Sequence, residues 1–152
     1  MNITDYILEE IKPLHLENSV KKAKKVFKNY PITHFPVVEN NRLLGNFAEE
    51  DIQTIEEKEN TLVIYGDLLH SFFADEKATV LELLKIFADN DTNIIPILND
   101  VKEYMGYLDL RDVLDVFSTS PFMIDEGETL IVEKLINDYS MSQVTQIVES
   151  NN

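Results

Sequence analysis

The amino-acid sequence predicts an α/β (α+β) fold of two tandem β-α-β-β-α units, packed sheet to sheet about a pseudo-twofold axis. Three observations carry this. The stretch Ile32–Ile52, ITHFPVVENNRLLGNFAEEDI, is echoed by Thr92–Val113, TNIIPILNDVKEYMGYLDLRDV, with Pro36 answered by Pro96, Gly45 by Gly106 and Asp51 by Asp112. The offset is 60 residues from Val20/Val80 and Phe27/Phe87 through the prolines, and 61 at Gly45/Gly106 and Asp51/Asp112. The extra residue falls within the polar turn Asn99–Glu103, where an insertion is tolerated. Finally, a lone unit of this size buries too little to be stable, and pairing two sheets remedies that.

Taken in order, Ile3–Leu8 reads as a short helix or lead-in, and Ile11–Leu16, with Pro13, as a short edge strand. Asn18 or Ser19 caps a helix to about Asn29, in which Val20, Ala23 and Phe27 form the inward stripe. Pro31 forbids its continuation. Strands follow at Phe35–Val38 and Leu43–Phe47, joined through Asn40-Asn41, residues that tolerate the left-handed backbone. A helix starts near Glu49, where Glu49, Glu50 and Asp51 suit the positive end of its dipole, and Ile52 and Ile55 face inward.

In the second unit Leu62–Tyr65 leads to Gly66, and Asp67-Leu68-Leu69 matches Asp5-Tyr6-Ile7. Thr79 and Glu82 form a capping box ahead of a helix with Val80, Leu83, Leu84 and Phe87 on one side. Pro121 ends the last helix of the pair. Beyond it, Thr129–Leu135 is apolar enough for a strand, and Ser140 with Gln143 caps a further helix. The divisions expected are 1–58, 59–119, and a linker with an incomplete unit over 120–152. That last piece would dock on the repeats, pair with another copy, or begin a longer domain.

Composition narrows the function. With 44% apolar residues in 152, the chain fills a core. It has no cysteine, which excludes disulfides and thiolate metal sites. No secretory signal opens it, and no apolar run approaches the roughly 20 residues that span a bilayer, so a cytoplasmic protein is expected. Twenty-eight acidic residues against 13 basic ones give a net charge of −15, which repels nucleic acid and anionic membrane. Five of the bases, Lys21, Lys22, Lys24, Lys25 and Lys28, share one helix, either as a solvated face that offsets acidic neighbours or as a docking patch. Nothing marks an enzyme: there is no nucleophile elbow and no glycine-rich phosphate loop among four glycines. His15, His34 and His70 lack metal-ligand spacing, which leaves them structural or solvent-facing roles.

The twice-spoken pattern of hydrophobic-Pro-Val/Ile, turn, hydrophobic-Gly and an Asp six residues on resembles a tandem pair of cystathionine β-synthase (CBS) domains, a Bateman module, over Ile3–Phe117. The resemblance implies regulatory binding of an adenosine-containing ligand, such as AMP, ATP, NAD or S-adenosylmethionine, in the cleft between the units. It implies that Asp51 and Asp112 accept hydrogen bonds from the ribose diol, as a carboxylate can. It also implies that His34-Phe35-Pro36 and Ile94-Ile95-Pro96 cradle the adenine. Where such sites carry Thr or Ser three residues before the Asp, this chain has Ala48 and Asp109. Ala48 donates nothing, and Asp109 opposes a phosphate, for which Arg111 is the nearby base in the second copy. These departures sustain an alternative, a ligand-free interaction module that forms a homodimer. The final stretch, DYSMSQVTQIVESNN, resembles the opening of an ACT domain, and a CBS pair before an ACT-like domain is the arrangement of acetoin-utilisation regulators.

Overall fold

The structure, a computed structural model, describes residues 2–119. The candidate ACT-like segment lies outside the described residues. The first unit contains α1 (Val20–Asn29), β1 (His34–Glu39), β2 (Arg42–Ala48) and α2 (Glu49–Gln53). The second contains β3 (Ala74–Asp75), α3 (Val80–Asn90), β4 (Ile94–Leu98), β5 (Tyr104–Asp109) and α4 (Leu110–Thr119). Short 3₁₀ turns stand at Ile3–Tyr6 and Leu62–Leu68.

Local chemistry sets these boundaries. Ser19, of the two expected caps, accepts from the Lys22 N–H at α1, and Thr79 and Glu82 close the capping box on α3. Asn40 and Asn41 both take positive φ, 49° and 62°, in the β1–β2 hairpin. The expected edge strand over Ile11–Leu16 shrinks to a single bridge. Leu14 lies parallel to Val37, its N–H donating to the Pro36 carbonyl and its own carbonyl accepting from Val38. Pro13, with no N–H to donate, cannot extend that ladder. Its equivalent β3 runs parallel to β4 over two residues.

Both hairpins are antiparallel and both carry a bulge one residue past the strand centre, between Val37 and Val38 and between Ile97 and Leu98. Each sheet is then completed by a strap from the other unit's span. Leu8 exchanges both backbone hydrogen bonds with Tyr107 of β5, at 2.8 and 3.0 Å. His70 does the same with Asn46 of β2, both at 2.8 Å. Tyr107 and Asn46 are themselves matched positions, opposite Pro96 and Pro36. The crossing is cemented by side chains: Ile3 is buried in the second core beside Leu83 and Phe87, and Leu62 in the first beside Phe27 and Phe35.

The straps explain the glycines. A Cβ on Gly106 would stand 2.5 Å from Ile7 Cγ2 and 2.6 Å from the Leu8 carbonyl oxygen. On Gly45 it would meet Leu69 Cβ at 3.0 Å and the His70 carbonyl oxygen at 3.2 Å. Both glycines take positive φ, +147° at Gly106 and +155° at Gly45, which side-chain-bearing residues rarely adopt.

The α1 lysines point outward, Lys24 half-buried and the rest exposed, while Val20, Ala23 and Phe27 are buried as the periodicity predicts. Among the described residues none of the five is ion-paired with a carboxylate.

Candidate functional site

The axis between the units is built by two equivalent residues, Thr33 and Asn93, which grip each other reciprocally. The Thr33 N–H donates to Asn93 Oδ1 at 2.9 Å, and the Asn93 N–H donates to Thr33 Oγ1 at 3.1 Å. Asn93 Nδ2 also donates to the Pro31 carbonyl at 2.8 Å. Each backbone carbonyl then accepts the first N–H of the helix that follows its hairpin, Glu49 to Thr33 and Leu110 to Asn93, both at 2.9 Å. This double tie brings the start of β1 to the start of α2, and the start of β4 to the start of α4. These two helix starts are the candidate clefts, with matched backbone and unmatched side chains.

In the first cleft His34 lies opposite Ala48, and Asp51 rises from the first turn of α2. The strap adds His70, whose Nε2 is 3.1 Å from Asp51 Oδ2. His34 is buried, edge-on to the His70 ring at 5.7 Å and to Phe72 at 5.1 Å, with Nδ1 hydrogen-bonded to Thr33 Oγ1 at 2.8 Å. Burial foremost, then the neighbouring His70, lowers the His34 pKa from 6.5 to about 4, against the opposing pull of Asp51. The imidazole is therefore neutral at pH 7. Burial also raises the Glu49 carboxyl. Asn46, fully buried, donates from Nδ2 to the His70 and Phe72 carbonyls at 3.2 and 3.0 Å, while its Oδ1 has no partner.

In the second cleft Ile94 lies opposite Asp109. Asp109 Oδ1 accepts from the Arg111 N–H at 2.7 Å, the geometry of a side-chain helix cap at α4. Ala48, its counterpart, makes no such bond, and α2 is the shorter helix. Asp109 thus has a structural reason to be acidic. Asp112 is pushed above the usual carboxylate range by burial first, then by Asp109 and Asp115. Arg111 itself is exposed.

The ten candidate residues divide accordingly. His34 and Asp51 converge, as do Ile94, Asp109 and Asp112 at the other helix start. Pro36 and Pro96 are buried in the sheets. Phe35 packs in the first core instead, its ring tilted against Phe27 of α1 at 4.7 Å and Phe47 of β2 at 5.8 Å, and Ile95 is fully buried in the second core. Sequence reasoning left out Thr33, Asn93 and His70. Thr33 and Asn93 were findable, as a hydrogen-bonding pair at the repeat offset directly before the matching segments. His70 was not, because its matched position is Leu8, which shares none of its chemistry.

Comparison with known proteins agrees with this architecture. The CBS domain family matches twice, at residues 3–56 and 66–119. The chain is 23% identical over 149 residues to inosine-5′-monophosphate dehydrogenase of Methanocaldococcus jannaschii, covering 96% of this chain and 29% of that enzyme. It spans 29%, 59% and 32% of the length of three curated relatives that it matches, less than two thirds of each. Among solved structures, a CBS domain pair/ACT domain protein from Thermotoga maritima superposes with a TM-score of 0.70 at 14% identity, covering 80% of this chain and all of that one. CBSX2 in complex with AMP superposes at 0.61 with 15% identity, covering 77% and 96%. The repeated motif, the two symmetric sheets and the double family match place this chain in the CBS-domain family, with the domain present twice.

Proposed function

We propose that this CBS pair is a regulatory module that binds an adenosine-containing ligand in the clefts at the starts of α2 and α4, with Asp51 and Asp112 as acceptors for the ribose hydroxyls. The observation that carries the reading is the placement of both carboxylates at equivalent helix starts, each tied to its adenine-side segment through Thr33 or Asn93. That a structural neighbour was solved with AMP supports it. Regulation works by population shift: a ligand alters the relation of the two units only as far as it binds one arrangement better than another. The reading divides the chain at 58/59 and places the module in the cytoplasm.

Electrostatics ranks the ligands. Asp109 and Asp115 already raise the cost of ionising Asp112, so added phosphate charge weakens binding in the second cleft. S-adenosylmethionine and adenosine should bind there more tightly than ATP, with magnesium narrowing the gap. A thermal-shift panel of AMP, ADP, ATP, NAD and S-adenosylmethionine, with and without magnesium, tests this. A ligand at 100 times its dissociation constant adds about 2.7 kcal/mol of stability, and Asp112→Ala should remove most of it. A second reading, a ligand-free scaffold that dimerises, draws on Ala48, Asp109 and the His70 contact on Asp51. Silence across the panel together with a dimer by light scattering would favour it.

A further inference from the structure

We propose that His70 is a latch on the first cleft, so that the two clefts are inequivalent and the second fills first. The inference rests on the adenosyl reading above. Nothing in the repeat requires a polar group on the strap. At the matched register the second cleft has Leu8, paired to Tyr107 as His70 is paired to Asn46. A leucine side chain has no hydrogen-bonding atom, so Asp112 receives no counterpart of the bond that Asp51 receives.

The latch is held from several sides. His70 Nε2 donates to Asp51 Oδ2 at 3.1 Å, and the ring stands edge-on to His34. Its backbone is fixed by both ladder bonds to Asn46 and by Asn46 Nδ2 on its carbonyl. The charged and titratable groups facing it are Asp51 and His34. His34, kept neutral by burial, neither repels the imidazole with a charge nor competes for Asp51 as a cation. A ribose diol entering this cleft must therefore share Asp51 with His70 or displace it, and Ala48 offers it no hydroxyl in return. The pair is about half exposed on the histidine side, so the latch weakens binding rather than abolishing it. The expected handicap is about threefold to fivefold in dissociation constant, the upper part of what an exposed ion pair contributes.

Residue-resolved NMR titration with adenosine tests this, because it reads each cleft separately. In the wild-type protein, resonances of residues 94–96 and 110–113 should saturate before those of residues 34–36 and 49–52. His70→Ala should tighten the first cleft by about threefold to fivefold and leave the second unmoved. Weaker binding at the first cleft in His70→Ala would make the residue a ligand contact and overturn the latch. Absence of binding in both proteins would remove the adenosyl reading, and the latch as a gate with it. Binding that is present but unchanged by His70→Ala would remove the latch alone.

Discussion

His34 shows how far one side chain can depart from its solution chemistry. The unfolded chain binds a proton at this imidazole below pH 6.5, whereas the folded protein resists until about pH 4. Between those values the unfolded state holds more protons, so this residue's contribution is intact above pH 6.5 and is lost as the pH falls towards 4. The whole span is worth on the order of 3 kcal/mol. Urea denaturation of the wild type and His34→Gln at pH 7 and at pH 4.5 should show the wild type losing more stability on acidification. Equal losses would mean that the imidazole is not buried as described. Gly106 makes a second case. Gly106→Ala should cost roughly 2–4 kcal/mol, from overpacking against the Leu8 strap and from its positive φ. Gly66→Ala, with open space around it, is the neutral control. At this scale the sequence announces Pro, Gly and Asp, because each recurs at the same register in both copies, the glycines under a backbone demand that the straps impose. It does not announce His70, whose role exists only once a distant strap lands on β2.

At the scale of elements, the helices were the most legible. The ends of α1 and α3 follow from Ser19, Thr79 and Glu82, since caps act over three residues of sequence. Thr79→Ala should cost about 1 kcal/mol in chemical denaturation. The hairpins were nearly as clear, through short apolar runs that are buried almost throughout β1 and β4, and through the Asn-Asn turn of the first copy. The lead-in segments were not: their period and composition suggest local structure, but they work by crossing to the other unit. Ile3 is the sharpest example, early in the chain yet 2% exposed in the core of α3 and β4. Ile3→Ala should destabilise by about 2–5 kcal/mol. Hydrogen exchange should then quicken in α3 and β4 ahead of α1 and β1, and the opposite order would place the strap on the wrong unit.

At the scale of the molecule, the exchange of straps joins two units too small to be stable alone. Ile94 and Tyr107, from the second unit's strands, pack into the first core, and the Thr33–Asn93 grip spans the axis between them. Denaturation followed by tyrosine fluorescence and by far-ultraviolet circular dichroism should give coincident transitions, as one cooperative body requires. Two separated transitions would mean that the units fold independently. The duplicated pattern made this symmetry readable, while the inequivalence of the clefts came from residues that the repeat did not preserve. Among the described residues no helix is long and apolar enough to cross a membrane, and no cluster of histidines and carboxylates could hold a metal ion. The regulatory reading stands on the helix-start carboxylates, whatever else the chain carries. Calorimetric titration of the wild type and of Asp51→Asn/Asp112→Asn with adenosine and S-adenosylmethionine tests it most directly. Saturable binding in the wild type, weakened by about tenfold or more in the double variant, is the predicted result, since each lost charged acceptor is worth about a factor of ten. No saturable heat in the wild type, or the same affinity in both proteins, would contradict it.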